Sequence, residues 1–556
     1  QTTRYVYDAA GNLAFEVSAE GRTSIYLYQG AAGLVSSKTT CSRNAYPVGT
    51  LPATQAATGN GVPQPATLSL TSMYNWLSTG GVDATQAERT DYTYNARGQL
   101  KTSTTYQKLK TDGTGNTSLA VAQTQFIYDQ SGNLLQTIDG EGHKTTVAYD
   151  GFNRVVWSTD GVGNTTQTTY NAAANTITTL AANGLSTVQT FDKSGHLLTV
   201  ARSGTASFGS VSNVYDALGQ VVKTTDATSQ SAYYIYDAEG NQVGMISPNR
   251  ELTEYIYNKA GQLIHTIAYA KQIPTAALSV APASLTLAGV KGTAGFATDA
   301  LNDRHTYKLY DQAGRLAKTI DGIGAVVEYR YDGRGELLQT TQYSNLLSST
   351  QLSGLQAAMT ANAEVSPSDA NASIPSNLSH QNRIQLNIYS ADGLLWGTID
   401  GNKNVSVNTY NSAGRLIQTT RYAKAYLGTL SDNVLPTPYD ADKVPSPAPT
   451  AAYVVRDAAN DQNTFYYYNA SGQRTAMVDA ERYLTRYIYN KAGLLASERQ
   501  YLNTYQGAEI TSALDGNTCP ATVISAPASP NGTSYVVVSA QDKTTSYFYN
   551  ANNRLE

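Results

Sequence analysis

The chain has 556 residues, of which 14% are charged, and its formal net charge is −4 at pH 7. The absence of a basic stripe argues against a nucleic-acid-binding protein, and no apolar run approaches the ~18 residues of a membrane span. The two cysteines, Cys41 and Cys519, lie near opposite ends and lack the neighbours of a zinc site. Because the chain starts at Gln1 and stops at Glu556 inside a repeat, we expect a piece of a longer protein.

The most regular part of the sequence repeats one phrase every 21 residues. An alternating run such as Thr145-Thr-Val-Ala-Tyr149 predicts a half-buried strand that ends at the tyrosine, which Asp follows, as in Tyr128-Asp129. The polar tetrad that follows closes at Gly132, which predicts a tight turn in which the Asp side chain bonds its own backbone. A return strand and a second turn at Asp139-Gly140 complete the unit, so one repeat is a β-hairpin that cannot bury a face alone.

Seventeen copies of this phrase occur along the chain, which predicts one continuous array over residues 1–556, with the densest repeats at 94–270. Their first residues are Tyr7, Tyr28, Tyr94, Tyr128, Tyr149, Tyr170, Phe191, Tyr215, Tyr236, Tyr257, Tyr310, Tyr331, Tyr389, Tyr410, Tyr468, Tyr489 and Tyr549. The positions that we expect to define the repeat turns are Tyr128, Asp129, Gly132, Tyr149, Asp150, Tyr215, Asp216, Gly219, Tyr236, Asp237, Gly240, Tyr310, Asp311, Gly314, Tyr331, Asp332 and Gly335.

Over residues 236–556 the copies come in pairs, each pair followed by an insert, at steps of 74, 79, 79 and 81 residues. Inserts rich in Ala, Ser and Pro predict surface loops or short extra elements. They span about 41–88, 271–303, 344–382, 423–460 and 502–540. The spacing of Leu352, Leu355 and Met359 predicts a short helix within residues 349–365, and a similar element is expected around Met73.

Tyrosine is unusually common, with 41 residues against 8 phenylalanines. Many tyrosines lie two apart, as Tyr234 and Tyr236 do, which places them on the same face of a strand. Such rows predict a wall that meets water or cargo rather than an oily core. Cross-strand packing with hydroxyl ladders is the favoured interpretation, and stacking on cell-surface glycans is the alternative.

The phrase Tyr-Asp-x-x-Gly-x-Leu, as in Tyr310-Asp-Gln-Ala-Gly314-Arg-Leu316, resembles the Rhs/YD-repeat family. The resemblance covers nearly the whole chain apart from the inserts. It implies a long β-ribbon that coils into a hollow shell, which encloses a toxic cargo in bacterial toxin complexes and Rhs toxins and serves adhesion in teneurins. The sequence contains no Asp-Pro-x-Gly core motif of the kind that ends the shell in toxin members. We therefore expect an all-β fold, an antiparallel hairpin ribbon wound into a hollow shell or an elongated β-solenoid.

The residues that could carry chemistry favour structural roles, so we assign no catalytic, cofactor or metal site. Carboxylates after the repeat tyrosine could form a calcium row or a glycosidase-like pair, but Asn replaces Asp in many copies and keeps only the turn hydrogen bond. None of the histidines stands in a nucleophile motif. His143 and His196 occupy turns, His265 a return strand, and His305 and His380 are expected to precede strands.

Three functions follow from this reading. The favoured one is a non-enzymatic wall segment of a secreted or surface bacterial shell that encloses a polypeptide cargo. The alternative is a building block of an extracellular fibre or adhesin, in which neighbouring copies of the chain are the partners. A carbohydrate-binding or carbohydrate-active β-scaffold is the minor alternative, and no cofactor is expected for any of the three.

Overall fold

The computed structural model is built almost entirely from one antiparallel sheet. It describes residues 2–30, 32–41, 45–48, 68–81, 87–118, 121–360, 365, 382–426, 457, 459–504, 522–524, 535–537 and 539–555. Over these ranges, the all-β fold expected from the repeats is confirmed. None of the described helices is long and apolar enough to cross a membrane.

The first part of the sheet consists of β1 (Arg4–Tyr7), β2 (Leu13–Val17), β3 (Thr23–Gln29), β4 (Leu34–Cys41), β5 (Ala87–Tyr94), β6 (Leu100–Tyr106), β7 (Val121–Tyr128), β8 (Leu134–Ile138), β9 (Lys144–Tyr149), β10 (Val155–Thr159), β11 (Thr165–Asn171) and β12 (Thr176–Leu180). It continues with β13 (Ser186–Phe191), β14 (Leu197–Ser203), β15 (Ser207–Tyr215), β16 (Val221–Thr225), β17 (Ser231–Tyr236), β18 (Gln242–Ile246), β19 (Glu251–Tyr257), β20 (Leu263–Gln272), β21 (Arg304–Tyr310), β22 (Leu316–Asp321), β23 (Val326–Tyr331) and β24 (Leu337–Gln342). The last part comprises β25 (Arg383–Tyr389), β26 (Leu395–Ile399), β27 (Val405–Tyr410), β28 (Leu416–Arg421), β29 (Gln462–Tyr468), β30 (Arg474–Val478), β31 (Tyr483–Tyr489), β32 (Leu495–Thr504) and β35 (Lys543–Ser546), while β33 (Thr522–Ile524) and β34 (Tyr535–Val537) form a separate parallel pair.

Each strand of the large sheet pairs antiparallel with the next strand along the chain, from β1 to β32 and then β35, which makes 33 strands. The sheet is open, because β1 and β35 do not pair with each other. At most repeat tyrosines the register slips by one residue; Ile127 pairs with Gln136, for example, whereas Tyr128 pairs with Leu134. This is a β-bulge, which bends the strand and interrupts the ladder next to the turn.

Three short α-helices lie in the inserts: α1 (Leu70–Trp76), α2 (Leu287–Gly292) and α3 (Ser349–Thr360). Helix α3 confirms the helix predicted within residues 349–365, and α1 contains Met73 as expected. The hydroxyl of Ser69 caps α1 and that of Thr286 caps α2, in each case by accepting a hydrogen bond from a first-turn N–H. Within the described ranges, a π-helical turn (Leu77–Gly81) and two 3-10 turns (Thr275–Leu278 and Pro282–Ser284) are the other named helical elements.

The inserts cover one face of the ribbon, opposite the face that carries the repeat tyrosines. Alternation in β17 places Ile235 on this covered face and Tyr234 and Tyr236 on the other. Ile235 is buried in a cluster whose members come from β17 to β20 and from the insert, including Val290 of α2. Comparable clusters contain Tyr307, Leu309, Ile320, Val326 and Met359; Ile384, Leu386, Ile399 and Val405; and Val6, Phe15, Val17 and Met73.

Residues 121–215 carry no insert, and the same face is open to solvent there. Ile127 and Trp157 lie on this face and are 43% and 41% exposed. Most of their cross-strand partners are polar or small: Ile127 pairs with Gln136, and Trp157 pairs with Gln167 and Ala148. This face is therefore lined by apolar residues where an insert covers it and mostly by polar or small residues where no insert does.

The ribbon also winds back to lie beside itself. The turn at residues 390–393 contacts residues 18–22, and the turn at 490–493 contacts 139–142. We call residues 2–389 the first lap and residues 390–555 the second lap. The turns that follow the repeat tyrosines lie along one edge of the ribbon, the tyrosine edge; the other turns and the inserts lie along the opposite edge, the insert edge.

Candidate functional site: the repeat turns and the seam between laps

The repeat turn is held by the aspartate that follows the tyrosine. The Asp129 carboxylate accepts from the Asn133 backbone N–H at 2.8 Å and from the Asn133 side-chain amide at 2.9 Å. The Gly132 N–H donates to the Asp129 carbonyl at 3.2 Å, and the φ of Gly132 is +91°, a conformation that glycine adopts without penalty. The side-chain hydrogen bond from Asn133 is the main reason that the pKa of Asp129 lies below its usual value.

The other repeat turns named from the sequence have the same geometry. Asp150, Asp216, Asp237, Asp311 and Asp332 each accept from the backbone N–H four residues on. The left-handed position is taken by Gly219, Gly240, Gly314 and Gly335, and by Asn153 in the turn after Tyr149. Since these carboxylates serve their own turns, they are poor candidates for a metal row, and the described residues contain no group of three or more potential metal ligands.

The repeat tyrosines link one hairpin to the next through their hydroxyl groups. The Tyr149 hydroxyl donates to the Leu134 carbonyl, 15 residues earlier, at 3.0 Å. Leu134 begins the preceding return strand beside the bulge, where the ladder is interrupted. The same bond, 2.8 to 3.1 Å long, is made by Tyr28, Tyr94, Tyr128, Tyr149, Tyr170, Tyr215, Tyr236, Tyr257, Tyr310, Tyr331, Tyr410, Tyr468, Tyr489 and Tyr549. The hydroxyl-ladder interpretation is therefore confirmed, and the excess of tyrosine over phenylalanine has a physical cause.

The seam between the laps is formed by tyrosine-edge turns of the second lap that dock on insert-edge turns of the first. At one point the Lys491 N–H donates to the Glu141 carboxylate at 2.5 Å. The Lys491 carbonyl lies directly over Gly140, where a Cβ atom would be 1.8 Å from the oxygen. The φ of Gly140 is not positive; Gly142 takes the left-handed position in that turn. Glycine is required at residue 140 for close approach rather than for backbone conformation.

The same contact recurs one hairpin further along the seam. A Cβ atom at Gly161 would be 1.7 Å from the Ala551 carbonyl oxygen. The side-chain amide of Asn552 donates to the Asp160 carboxylate, and that of Asn553 donates to Asp139 at 3.1 Å. Amide donors of the second lap therefore face carboxylates of the first.

At its start the seam uses charged side chains. Asp392 pairs with Arg22 and accepts from the Glu20 N–H at 3.0 Å, while the Ala391 N–H donates to Glu20 at 2.8 Å. Arg415 of the second lap forms an ion pair with Glu88 of the first at 2.9 Å. These contacts add specificity, because each positive group of one lap meets a negative group of the other.

In its middle the seam uses backbone hydrogen bonds. The Ala470 N–H donates to the Gln107 carbonyl at 3.2 Å, and the Arg89 N–H donates to the Ala470 carbonyl at 3.1 Å. The Ser471 hydroxyl donates to the Tyr106 carbonyl at 2.6 Å. Nothing in the local sequence predicts these contacts, since the partners are separated by 365 residues in the case of Ser471 and Tyr106.

The inserts are tied to the ribbon by tyrosine–carboxylate pairs. The Tyr269 hydroxyl donates to the buried Glu254 carboxylate at 2.6 Å, and the Lys291 ammonium group lies 2.9 Å from the same carboxylate. Burial and the neighbouring carboxylate raise the pKa of Tyr269. Tyr343 bonds Glu328 in the same way at the start of the next insert, and Tyr106 bonds Asp91 at the end of β6. In all three pairs the acid lies 15 residues before the tyrosine.

The four described histidines are not brought together into one group. His143 and His196 bond the turn carboxylates of Asp139 and Asp192 at 3.0 and 2.9 Å. His265 is fully buried in β20, as its assignment to a return strand predicts, and its Nε2 lies 3.0 Å from Nδ1 of His305. His305 lies within β21, so the prediction that it precedes a strand is wrong; His380 falls outside the described residues.

Cys41 is a buried free thiol at the end of β4. Burial raises its pKa to about 12, which leaves the thiol protonated and unreactive at neutral pH. Cys519 lies outside the described residues.

Comparison with known proteins agrees with this geometry. Residues 71–273 match the Teneurin YD-shell family, and residues 310–344 match the RHS Repeat family. The two matched stretches thus carry repeats of the YD and RHS type. No curated protein matches the chain.

Two solved structures that match this chain are much longer than it is. The crystal structure of TcdB2-TccC3-Cdc42 is 14% identical with a TM-score of 0.44, covering 100% of this chain and 21% of the other. The Photorhabdus luminescens Tc holotoxin pore is 12% identical with a TM-score of 0.39, covering 100% of this chain and 33% of the other. The chain thus spans a fifth to a third of the length of these structures.

Proposed function

We propose that this YD-repeat chain is a wall segment of a hollow β-shell that encloses a polypeptide cargo, in a secreted or surface-displayed bacterial protein. The observation that carries the proposal is the seam, in which the second lap docks on the first through Gly140, Gly161 and Ala470. A ribbon that only extended into a fibre would not need two of its own edges to fit each other.

The seam supports a wall because it joins laps over several hairpins. Its contacts involve four successive docking regions of the first lap, around residues 18–22, 88–107, 139–142 and 160–163. Backbone hydrogen bonds join the strands within each lap, and turn contacts join one lap to the other. Together they form a continuous surface. The ends of the sheet stay open, so enclosure comes from winding rather than from barrel closure.

A non-enzymatic role is the second part of the proposal. The repeat carboxylates accept hydrogen bonds from their own turns, and the repeat tyrosine hydroxyls donate to carbonyls of the neighbouring hairpin. Groups that are engaged in this way stabilise the ribbon and give little support to a glycan-stacking surface or an acid–base pair. The structural alternative is a fibre or adhesin made from stacked copies.

Electron microscopy of the full-length native protein, combined with limited proteolysis, tests the proposal. We expect a hollow particle with internal density and a protease-resistant fragment that is not part of the wall. A seam variant, Gly140→Ala, should expose that fragment, whereas Gly151→Ala should not, because no atom lies within 4 Å of a Cβ placed at Gly151. A filament with a repeat along its axis, or a particle without an enclosed volume, would contradict the proposal.

A further inference from the structure

The residue that follows the repeat tyrosine differs between turns that dock in the seam and turns that do not. The docked turns begin with a neutral residue, in each case Ser390, Asn411, Asn469, Asn490 or Asn550. The other tyrosine-edge turns, for which the described residues show no contact across the seam, begin with Asp8, Gln29, Asn95, Asp129, Asp150, Asn171, Asp192, Asp216, Asp237, Asn258, Asp311 and Asp332. Aspartate is thus the commonest residue in free turns and is absent from the docked ones.

Docking removes this position from water in three of the five docked turns. Ser390, Asn411 and Asn469 are only 4%, 5% and 8% exposed, whereas Asn490 and Asn550 stay half-buried, as Asp129 and Asp150 do in free turns. A carboxylate buried without a cation costs far more than a buried amide that is hydrogen-bonded.

The surface that receives the docked turns is mainly acidic, although Arg22 also lies there and pairs with Asp392. Glu20, Glu88, Asp139, Glu141 and Asp160 of the first lap all bond groups of the second lap. An additional carboxylate at the first position of a docked turn would add like charge to this row. Asn and Ser keep the side-chain oxygen that accepts the turn N–H groups and lack the charge.

We propose that a neutral residue after the repeat tyrosine is required for a turn to dock on the insert edge of the neighbouring lap. Asp at this position opposes docking, whereas a neutral residue permits docking without enforcing it, as the undocked turns of Asn95, Asn171 and Asn258 show. The interaction surface is the tyrosine edge of the second lap, and its partner is the row of acidic turns in the first. The rule holds for the seam whether or not the wound ribbon encloses a cargo.

Asn469 and Asn258 form a matched pair for a test. The Asn469 carboxamide oxygen accepts from the N–H of Ser471 and Gln473 at 3.0 and 2.9 Å, and its amide donates to Gln473 Oε1 at 2.9 Å.

Asn258 makes the corresponding bonds to Ala260 and Gln262 at 3.0, 2.9 and 2.9 Å. The left-handed glycines have φ values of +72° at Gly472 and +74° at Gly261. The two turns therefore differ chiefly in that only the turn of Asn469 docks.

The experiment compares Asn469→Asp, Asn258→Asp and Asn469→Ser in the full 556-residue chain by amide hydrogen exchange at neutral pH. The readouts are the Arg89 and Ala470 amides, which donate across the seam. We expect Asn469→Asp to speed exchange at both amides by about tenfold or more, because the variant places an unpaired charge in a buried position and so favours opening of the seam. Asn258→Asp and Asn469→Ser should leave both unchanged.

Equal exchange in Asn469→Asp and in Asn258→Asp would overturn the proposal. If Asn469→Asp does not fold, Asn490→Asp replaces it, because Asn490 is only half-buried. The readout is then the Lys491 amide, which donates to Glu141. Unchanged exchange at Lys491 would likewise overturn the rule, and faster exchange there with normal strand protection would support it.

Discussion

The Lys491 carbonyl oxygen rests on Gly140, so closely that a methyl group at residue 140 would lie 1.8 Å from it. The two residues are 351 positions apart in the chain, and their contact is where the second lap meets the first. It is one of the points at which a linear array of hairpins becomes a wound structure.

Replacing Gly140 with alanine should open this part of the seam. The turn itself tolerates a Cβ, because Gly140 is not in the left-handed region, so the cost of about 1–3 kcal/mol should come from the Lys491 contact. Urea unfolding and hydrogen exchange at Lys491 measure the effect. Gly151→Ala is the control, since nothing lies within 4 Å of its Cβ position, and equal loss in both variants would contradict the account.

Removing one tyrosine hydroxyl should weaken one step of the ladder. Tyr149→Phe leaves the Leu134 carbonyl without its donor, which should lower the free energy of unfolding by about 1 kcal/mol. Tyr7→Phe is the matched control, because Tyr7 is 56% exposed and no described return strand precedes it. Denaturant midpoints that fall equally for both variants would contradict this prediction, because both variants keep the ring and only Tyr149→Phe removes the bond to Leu134.

The buried pair of His265 and His305 should make the ribbon sensitive to mild acid. Burial lowers the pKa of His265 to about 4, below the value of 6.5 expected for the unfolded chain, and the adjacent His305, whose pKa is also lowered, adds to this. Between pH 6.5 and about 4 the unfolded state binds a proton that the folded state excludes, so stability falls as pH falls. The contribution of His265 between pH 7 and pH 4.5 should be about 2 kcal/mol.

Urea unfolding of the His265→Phe variant across this pH range checks the prediction. Phenylalanine can keep the stacking on Tyr307, whose ring centroid lies 4.3 Å away, but does not titrate. We expect a flatter dependence of unfolding free energy on pH than in the wild type. An unchanged slope in His265→Phe would refute the assignment.

The Glu254–Tyr269 pair should couple the insert to the ribbon. Glu254→Gln, Tyr269→Phe and the double variant form a cycle with an expected coupling of about 1–2 kcal/mol, because the acceptor is a buried carboxylate. Limited proteolysis within residues 271–303 should accelerate in both single variants. Tyr255→Phe, on the opposite face of β19, serves as the control; additive effects in the cycle would show that the pair is not the anchor.

The fold could be predicted from the sequence because its determinants are local. The 21-residue period, the aspartate after the tyrosine and the glycine three residues later each act within one hairpin, and Asp129 and Gly132 show this geometry. The reason for the excess of tyrosine could also be predicted, because the hydrogen bond from the tyrosine hydroxyl to the neighbouring hairpin repeats with the same period.

The seam could not be predicted, because its partners lie more than 300 residues apart and nothing in the phrase fixes how tightly the ribbon curls. Two features of the sequence accompany the seam without being unique to it. Gly140 and Gly161 stand where Ala227 and Ala480 stand in other turns, but Gly322 and Gly401 share this position outside the seam. Asn replaces Asp at Asn411, Asn469 and Asn490, and also in the undocked turns of Asn95, Asn171 and Asn258. The sequence shows that these residues vary; only the winding shows why.

The face covered by inserts was not foreseen, although its signal is plain in retrospect. Next to inserts the alternate strand positions are Ile235, Ile246 and Leu252, whereas without an insert they include Gln136 and Gln167. The rows of tyrosines alone predict a wall without a hydrophobic core. The structure has such cores, but they lie on the face opposite the repeat tyrosines.

The measurement that tests the account most directly is an electron cryo-microscopy map of the full 556-residue chain. The account predicts two adjoining laps of β-ribbon, with the turn at 490–493 seated on the turn at 139–142 and the turn at 550–553 on 160–163. A map in which the hairpins form an extended ribbon, with these turns apart and open to solvent, would contradict it.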